Sequence, residues 1–498
     1  MQNGSAHGNI FFGRGEIRAL LAKRLEAFQK GYRQNIGIIG APSLGKTHIL
    51  NTLAVDIATP ELLIVFFGCR EFDSFERFAE RWMGKLLYGY QQAFGKPSPL
   101  NFQELVRSSK SVLPKTIVRM RALKKMVLAR RYDQAYRELL SLTAVLHQES
   151  GKKILMILDD FDRLSELGLR DPFGELGKEM MVQKETMFVV ASSRIAYSQS
   201  IFREKLSLLF GNFEVIALKP FDFGECAEFF DAMFPGGGLT PALRHFLIRA
   251  TDGNPFYLDV LTRRLLSADR KAVDRETFMD ALTSELLDER GLLHRHFESR
   301  FHELAQGRPW PYFADVLVAV SRGHKKILEI SRFLHQKPSE VKKILEKLTA
   351  AEVLERHGTL FQVKDNLFRF WLRTVYYRKR FLTERSPVAK TSSFRGDLEQ
   401  AIRSSELADG AELPNRLEAL FLKFQNDTVE LNHRKFKCSH FTEVSSRPNN
   451  GRAFPVTAKN GRARWLCQIL SSKVQEDDIR RFLDDAKQLR SPDRKSVV

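Results

Sequence analysis

Residues 35–52 of this chain read NIGIIGAPSLGKTHILNT and contain its most informative motif. Within it, residues 40–47 (GAPSLGKT) fit the pattern G-x-x-x-x-G-K-[ST] at every fixed position. The short apolar run Asn35–Ile39 predicts a buried strand before the pattern, and the residues from Thr47 onward predict a helix after it. In this context the pattern indicates a phosphate-binding loop rather than a fortuitous turn.

Each fixed residue of the loop suits the binding of a nucleotide. Gly40 and Gly45 let the backbone pass close to phosphate oxygens in conformations that a Cβ would resist. The backbone amides face the anion, Lys46 adds a positive charge at the β- and γ-phosphates, and the Thr47 hydroxyl ligates Mg²⁺. The predicted ATP-binding residues of this loop are Gly40, Ala41, Pro42, Ser43, Leu44, Gly45, Lys46, Thr47 and His48.

Two adjacent carboxylates follow another apolar run. ILMILDD, residues 154–160, predicts a central parallel strand that ends at Asp159 and Asp160. We predict that Asp159 joins Thr47 as a metal residue by holding Mg²⁺ through water, and that Asp160 is the general base that polarises the attacking water. The alternative is a structural turn in which Asp162 caps a helix.

A third polar group follows the next predicted strand, in MFVVASSR, residues 187–194. Arg194 lies just past the strand end, where it can reach the γ-phosphate in cis or from a neighbouring subunit. The predicted catalytic residues are therefore Asp160, Arg194 and Lys46. The alternative for Arg194 is a surface ion pair.

Strands alternate with helices over the first 220 residues. Five apolar runs, at residues 35–39, 62–67, 154–158, 187–191 and 213–218, are separated by helical sequence. This alternation predicts an α/β fold with a parallel sheet and helices on both of its faces. Farther along, residues 386–393 (SPVAKTSS) are small, polar and contain a proline, which predicts a linker.

These motifs resemble those of the AAA+ and STAND branch of P-loop ATPases, in particular the archaeal-type ATPases. Five segments carry the resemblance: residues 12–16 (FGRGE, similar to an F-x-G-R-x-E box), residues 159–162 (DDFD, similar to a Walker B motif with Asp in place of the second Glu), residues 193–194 (SR, similar to a sensor-1 pair), residues 219–221 (KPF) with Glu225, and residues 251–255 (TDGNP, similar to the G-G-N-P turn of a helical lid).

The resemblance implies further site residues and a slow reaction. Phe12, Arg14 and Pro255 are expected on the adenine side of the nucleotide. Asp160 has a shorter side chain than the usual Glu, and a misplacement of about 1 Å can cost on the order of 100-fold in rate. We therefore expect slow ATP hydrolysis, which suits a switch better than a motor. Because AAA+ relatives assemble head to tail, a homo-oligomer is also expected.

The resemblance covers roughly residues 10–385 and implies a chain of four parts. The first two are a P-loop ATPase core at 1–220 and a helical lid at 221–305. A winged helix at 306–385 follows, and a C-terminal α/β domain at 394–498 resembles a degenerate restriction endonuclease.

The sequence between the second and third predicted strands is basic. Residues 104–138 carry ten Lys or Arg residues and three acidic residues. Within residues 117–132 (IVRMRALKKMVLARRY), the apolar residues Ile117, Met120, Leu123 and Val127 share one helical face and the cations fill the other. Such a surface suits nucleic acid phosphates or anionic lipid, and the alternative is the solvated face of a bundled helix.

Residues 324–363 predict a helix, a turn, a second helix and a wing. Ser339 is expected as the N-cap of the second helix, and residues 353–356 and 360–363 are expected to pair as the wing. Residues 364–371 (KDNLFRFW) are similar to the family's D-x-x-x-x-F-W signature. Such a unit places a helix in the major groove of duplex DNA, or serves as a protein-interaction module.

The C-terminal domain lacks the metal residues of a nuclease. Glu418 matches the expected pattern on the first helix, but Pro455, Gln468 and Leu470 stand at the positions of the metal-binding Asp and the E-x-K motif. Without paired carboxylates Mg²⁺ has no anchor, so we expect no DNA cleavage.

Composition limits the partners. The 498 residues include 79 Lys and Arg against 60 Asp and Glu, a formal charge of +19 that implies an acidic partner. Four scattered cysteines indicate reduced thiols in the cytoplasm, and no run of about 18 apolar residues predicts membrane insertion.

The leading hypothesis is an ATP-controlled switch, with ATP and Mg²⁺ as cofactors, that binds double-stranded DNA. The family resemblance suggests prokaryotic defence or a mobile element as its setting. The alternative is a nucleotide-regulated scaffold for a partner protein, without a direct role on DNA.

Overall fold

The computed structural model of the chain describes residues 13–56, 59, 61–70, 72, 74–95, 101–206, 213–267, 273–305, 312–382, 386–410, 413–424, 426–431, 434–446, 456–460, 464–468 and 475–488. The chain divides into two units, residues 1–229 with 253–256, and residues 230–252 with 257–498. The four predicted parts remain a proposed subdivision of these units.

A five-stranded parallel sheet forms the centre of the first unit. Its strands are β1 (Asn35–Gly40), β2 (Leu62–Gly68), β3 (Lys153–Asp159), β4 (Thr186–Ser192) and β5 (Phe213–Leu218), in the order β2-β3-β4-β1-β5. Every residue of β1 and β4 is buried, as expected for interior strands that helices cover on both faces. The five predicted strands are confirmed to within one residue at each end.

Helices cover both faces of this sheet. They are α1 (Gly15–Gln29), α2 (Lys46–Asp56), α3 (Phe75–Ala93), α4 (Phe102–Ser109), α5 (Pro114–Leu128), α6 (Tyr132–Ser150), a 3₁₀ helix (Phe161–Leu167), α7 (Pro172–Val182), α8 (Ile195–Ser200) and a π-helical turn (Ile201–Lys205). Successive side chains of β3 enter two different cores, because strand residues alternate between faces. Leu155 and Ile157 pack with residues of α1 and α2, whereas Ile154 and Met156 pack with residues of α3, α6 and α7.

The basic stretch forms three helices, α4 to α6, between β2 and β3. The predicted apolar stripe of α5 is buried, at Ile117, Met120, Leu123 and Val127. Pro114 occupies the first turn of α5, where its missing N–H removes no helical hydrogen bond. The helix therefore packs by its apolar face and leaves its cations exposed.

Helices predominate in the second unit. Its elements, with α9 and α11 crossing the division between the units, are α9 (Phe223–Met233), α10 (Pro241–Thr251), α11 (Pro255–Leu266), α12 (Arg275–Leu286), α13 (Leu292–Ala305), α14 (Phe313–Ser321), α15 (Ile327–Leu334), α16 (Pro338–Ala350), β6 (Leu354–His357), β7 (Leu360–Val363), α17 (Asn366–Trp371), a π-helical turn (Leu372–Tyr376), α18 (Tyr377–Phe381), α19 (Pro387–Gly410), α20 (Leu413–Phe421), β8 (Asp427–Leu431), β9 (Arg434–Cys438), β10 (Glu443–Ser446), β11 (Val456–Lys459), β12 (Arg464–Cys467) and α21 (Glu476–Gln488).

The helices α14 to α16 and the antiparallel hairpin β6–β7 follow the predicted element order. The prediction of Ser339 as an N-cap is wrong. The helix begins two residues earlier than that cap implies, at Pro338, and Lys337 occupies the cap position. Proline has its φ fixed near the helical value, which favours it at the first helical position.

The predicted linker at residues 386–393 is also wrong. Pro387–Gly410 is one continuous helix, α19, which packs on α10 and α12. Phe394, Leu398 and Ile402 are four residues apart and fully buried, so they form its core-facing stripe. Arg395 adds an ion pair to Asp280 at 2.5 Å. Residue 394 is therefore inside a helix rather than at the start of a domain.

The C-terminal segment contains two small antiparallel sheets, β8-β9 and β10-β11-β12. Phe421, Phe441, Val456 and Ala458 form the core of the second one. Of the nuclease positions, Gln468 follows β12, whereas Pro455 and Leu470 lie outside the described residues. Within the described ranges, every helix is too short or too polar to span a membrane.

Candidate functional site

The polar ends of three strands meet at the carboxyl edge of the parallel sheet. Ile39 of β1 pairs with Ser192 of β4, and Leu158 of β3 pairs with Val190 of β4. The loop after β1, the carboxylates after β3 and the polar residues after β4 therefore lie side by side. The carboxyl edge is where open α/β sheets bind their ligands.

The loop at residues 40–47 has the backbone that its glycines allow. Gly45 adopts φ 88° and Ser43 φ 63°, both in the left-handed region. A Cβ on Gly40 would lie 2.7 Å from the Leu218 carbonyl oxygen, so no side chain fits there. Leu44 is buried in the core beneath the loop. Gly45 thus adopts a backbone conformation that a side chain resists, whereas Gly40 is required by its close packing against β5.

Lys46 carries the positive charge of the loop. Its side chain is buried, and its Nζ donates hydrogen bonds to the carbonyl oxygens of Gly40 at 2.8 Å and Ala41 at 2.7 Å. The ammonium group thus lies over the loop, where a phosphate can replace the carbonyl partners. Pro42 and His48, the other predicted loop residues, are exposed.

Two oxygen donors suited to a metal lie next to this loop. The Thr47 hydroxyl donates a hydrogen bond to the Asp159 carboxylate at 2.5 Å. The Asp159 side chain is buried at the end of β3. Hydroxyl and carboxylate oxygens are hard ligands of the kind that Mg²⁺ prefers. The predicted metal residues are thus in contact although 112 positions separate them in the chain.

Asp160 follows in a left-handed conformation, with φ 50°, at the start of the 3₁₀ helix. Burial raises the pKa of Asp160, and the charge of Asp159 raises it further, while Arg70 and Lys46 act in the opposite direction. A raised pKa makes a carboxylate a better proton acceptor near neutral pH.

Arg194 lies in an ion pair with Asp162. Its Nε donates to the Asp162 carboxylate at 2.5 Å, and its Nη2 donates to the Asp162 carbonyl oxygen at 3.2 Å. A weaker contact of 3.4 Å joins Arg194 to Glu166. The ion pair is the alternative that the sequence left open for Arg194, with a buried rather than a surface partner.

Asp162 is a central residue of this cluster that was not predicted as part of the candidate site. Its buried carboxylate accepts a hydrogen bond from the Ser192 hydroxyl at 2.6 Å, and the Ser198 hydroxyl donates to Ser192 at 2.6 Å. The suggestion that Asp162 caps a helix is wrong, because its side chain joins β4 to the segment of Arg194. The only sequence feature that pointed to Asp162 was its place as the third acidic residue of DDFD. Its partner Ser192 lies on another strand, where the sequence gives no sign of the contact.

Three segments far apart in the sequence converge near Phe221. The Arg14 guanidinium donates to the Lys219 carbonyl oxygen and lies 5.0 Å from the centre of the Phe221 ring. Burial lowers the pKa of Arg14, and the charge of Glu225 opposes this shift. The Phe221 amide donates to the Gly253 carbonyl oxygen at 2.9 Å. The FGRGE, KPF and TDGNP segments are thus assembled in one place.

The TDGNP segment also reaches the phosphate-binding loop. The Asn254 side-chain amide donates to the Pro42 carbonyl oxygen at 3.5 Å, and Pro255 begins α11 directly afterwards. Phe12, which was predicted on the same side of the nucleotide, lies outside the described residues.

The order of the strands in the sheet and the position of the phosphate-binding loop together identify the fold. A parallel sheet in the order β2-β3-β4-β1-β5 carries a G-x-x-x-x-G-K-[ST] loop after β1 and a carboxylate after β3 in contact with its threonine. The chain has the fold of a P-loop ATPase.

Several solved structures are similar to this chain at low sequence identity. The Walker-type ATPase PABY2304 of Pyrococcus abyssi is 16% identical with a TM-score of 0.49, over 73% of this chain and 96% of that one. The ORC2 protein of Aeropyrum pernix is 13% identical with a TM-score of 0.41, over 79% and 94%. Cdc6p of Pyrobaculum aerophilum is 13% identical with a TM-score of 0.36, over 81% and 97%.

No protein-family model and no curated protein matches the chain. At the identities given above, the solved structures assign no function to it.

Proposed function

We propose that the chain is an AAA+-type switch ATPase that binds ATP with Mg²⁺, hydrolyses it slowly and binds double-stranded DNA. The observation that carries the ATPase part is the Thr47–Asp159 contact at 2.5 Å beside the buried Lys46. It joins two oxygen ligands for a metal to the cation of a phosphate-binding loop.

The proposed roles follow from these positions. The loop from Gly40 to His48 binds the phosphates, and Lys46 exchanges its carbonyl partners for phosphate oxygens. Thr47 and Asp159 hold Mg²⁺, which neutralises charge on the transferred phosphoryl group when it is bound. Asp160 accepts the proton of the attacking water, because its raised pKa favours that transfer.

Two features support slow turnover. The side chain of Asp160 is one methylene shorter than that of the usual glutamate, which limits how closely it positions the water. Arg194, which we propose as the residue that senses the γ-phosphate, is paired with Asp162 and must leave that carboxylate to do so. We propose that this exchange is the switching event.

The cluster around Phe221 is the proposed adenine side of the site. Arg14, Phe221 and Pro255 belong to segments that meet near the loop residue Pro42. We include Phe12 on the same side from the sequence resemblance alone.

Nucleotide binding is tested by titration of the full chain with a fluorescent ATP analogue and Mg²⁺. Lys46→Ala should weaken binding by about 10- to 100-fold, since a hydrogen bond to a charged group contributes about 1.5–3 kcal/mol. Lys23→Ala, which removes an exposed lysine of α1 in the same unit, is the matched control and should leave affinity unchanged. Equal affinities of the two variants would refute the loop assignment.

DNA binding is supported most strongly by the α4–α6 segment. All ten of its Lys and Arg residues between positions 104 and 138 are exposed, and among them Arg119 pairs with Glu138 at 3.2 Å. By comparison, two lysines of α16 are balanced by carboxylates, since Lys342 lies 3.7 Å from Glu346 and Lys343 lies 2.9 Å from Glu340. We therefore propose that α5 contributes more phosphate contacts than α16.

The salt dependence of affinity for a duplex oligonucleotide tests this proposal. Lys124→Ala/Lys125→Ala should reduce the slope of log K against log salt by about 2, because each phosphate contact adds about 0.9. Lys342→Ala/Lys343→Ala should change this slope less. Lys23→Ala/Lys30→Ala removes the same amount of charge from α1 and its end and serves as the control for the change in net charge. Salt-independent binding, or none with ATP present, would refute the DNA role.

A nucleotide-regulated scaffold for a partner protein is the second candidate function. Leu328 and Phe333 of α15 are exposed, with 58% and 40% of their surface accessible, beside the charge-balanced α16. An apolar and electrically balanced surface suits a protein partner better than DNA. Retention of the chain by a partner with no measurable affinity for DNA would favour this function.

The remaining proposals rest on the sequence. We propose no nuclease activity for the C-terminal segment, which Mg²⁺-dependent cleavage of DNA would contradict. We also propose a cytoplasmic homo-oligomer, in line with the four free cysteines. The family resemblance is the basis for placing it in prokaryotic defence or a mobile element.

A further inference from the structure

The second unit contains a cavity of about 350 Å³ between α10, α12, α17 and α19. Apolar side chains form most of its wall, among them Phe246, Leu282, Phe370 and Leu398. This volume is within the range of small-molecule sites, which are mostly apolar with a few convergent polar groups.

The polar lining of this cavity includes three arginines, Arg249, Arg369 and Arg373, beside the uncharged Asn366, Ser404 and Ser405. Arg369 and Arg373 are one helical turn apart at the junction of α17 with the π-helical turn. Burial lowers the pKa of Arg373, the positive charge of Arg369 lowers it further, and the charge of Asp397 acts in the opposite direction. The two guanidinium groups are thus close enough to repel one another.

The nearby carboxylates act on these arginines only through their charge, because each has its direct partners elsewhere. Asp397 pairs with Arg378 at 2.6 Å, and Asp252 accepts hydrogen bonds from the backbone and side chain of Asn366. Within the described part of the chain, Arg369 and Arg373 form no ion pair with a carboxylate. An excess of positive charge therefore lines the cavity.

A second, more polar cavity of about 570 Å³ adjoins the first and shares Arg373, Ala401 and Ser404 with it. It adds Arg322 and Arg378 to the lining, against the single carboxylate of Asp397. The two spaces together form an apolar chamber that opens onto a basic groove, with Arg373 at the junction.

We propose that the apolar chamber binds a mononucleotide-sized aromatic phosphate, separate from the ATP at the phosphate-binding loop. The ring system packs against Phe246, Leu282 and Phe370, and the phosphate lies between Arg369 and Arg373. Guanidinium groups bind phosphate through paired N–H donors, and they keep their charge when partly buried.

Calorimetric titration of the full-length Lys46→Ala variant with AMP, GMP, CMP and UMP tests this site while binding at the phosphate-binding loop is weakened. At least one mononucleotide should bind with one-to-one stoichiometry and a Kd below about 1 mM, the affinity of about −4 kcal/mol expected of a small ligand. Arg369→Ala and Arg373→Ala should each weaken that binding by about 10-fold or more.

Two further variants separate binding from folding. Arg403→Ala is the matched control, because this arginine of α19 is exposed, pairs with Glu399 and does not line the cavity. Ala401→Trp fills the chamber without removing a charge and should abolish binding. In an otherwise wild-type chain, Arg373→Ala should leave affinity for the fluorescent ATP analogue unchanged.

Absence of binding for all four mononucleotides at 2 mM, a concentration about twice the expected limit, would overturn the proposal. So would binding that is insensitive to both arginine variants and to Ala401→Trp. Neither result bears on ATP binding at the phosphate-binding loop, which the Lys46 and Lys23 variants test separately.

Discussion

Replacing Asp162 by asparagine should loosen the segment that carries Arg194 while the sheet stays folded. The Asp162 side chain is only 3% exposed, and its carboxylate accepts from the Ser192 hydroxyl at 2.6 Å and from Arg194 at 2.5 Å. Asparagine has nearly the same shape and keeps an acceptor for Ser192. It loses the negative charge that holds the guanidinium group.

The loss of stability expected for Asp162→Asn depends on how strongly water screens the ion pair with Arg194. A hydrogen bond to a charged group contributes about 1.5–3 kcal/mol. The Arg194 side chain is 38% exposed, so that water replaces part of the lost interaction. We therefore expect the free energy of local opening to fall by about 1–2 kcal/mol, which corresponds to a factor of about 5–30 in the opening equilibrium.

Hydrogen exchange of the backbone amides after β4 measures this change. The Ser198 amide donates to the Arg194 carbonyl oxygen at 2.9 Å and should exchange about 5–30 times faster in the variant. Amides inside β4 should be unchanged. Glu166→Gln is the matched control, because Glu166 contacts the same arginine at 3.4 Å but is 49% exposed. Its effect should stay within about 0.5 kcal/mol.

Two results would refute this reasoning. One is equal exchange in the Asp162→Asn and Glu166→Gln variants. The other comes from a double-mutant cycle with Arg194→Met, in which effects that add within about 0.3–0.5 kcal/mol would mean that the two side chains are not coupled.

Three further predictions concern single residues. Gly253→Ala should lower the melting temperature in scanning fluorimetry and weaken ATP binding, because Gly253 has a φ of 67° and a Cβ there would collide with a backbone carbonyl. Gly151 has the same φ, but a Cβ there would lie in open space. Gly151→Ala should therefore lower the free energy of unfolding by only about 1–2 kcal/mol. The pKa of Asp160 is raised. The rate of ATP hydrolysis should therefore fall as the pH drops through a midpoint above the usual pKa range of an aspartate. A rate that does not change until the pH reaches that usual range would contradict the role of Asp160 as a base. Asp365→Asn should destabilise the second unit by about 3 kcal/mol in urea denaturation, because Arg300 is only 16% exposed and loses its partner at 2.6 Å. An unchanged urea concentration at the unfolding midpoint would show that the ion pair is dispensable.

The phosphate-binding loop and the strands were predictable because their signals are local. GAPSLGKT needs only its own glycines to form the turn, and the five apolar runs mark strands because interior strands of a parallel sheet are buried on both faces. The buried stripe of α5 was equally visible, since helical spacing alone places Ile117, Met120 and Leu123 on one side.

The errors came from residues whose state depends on distant partners. Residues 386–393 have the composition of a linker, but α19 extends through them because its apolar stripe packs on α10 and α12. The same holds for Asp162, whose side chain has its partners at positions 192 and 194 and not in its own helix.

The chemical groups of the candidate site were readable from the amino-acid order alone: a loop that exposes backbone amides, a lysine, a threonine and two carboxylates at strand ends. Which of these groups are in contact depends on how the strands are arranged. The parallel sheet places β4 between β3 and β1. In this arrangement Asp159 contacts Thr47, and Arg194 forms an ion pair with Asp162. Contacts between strand ends depend on the order of strands in the sheet, and that order is fixed by packing across the whole unit rather than by any one segment.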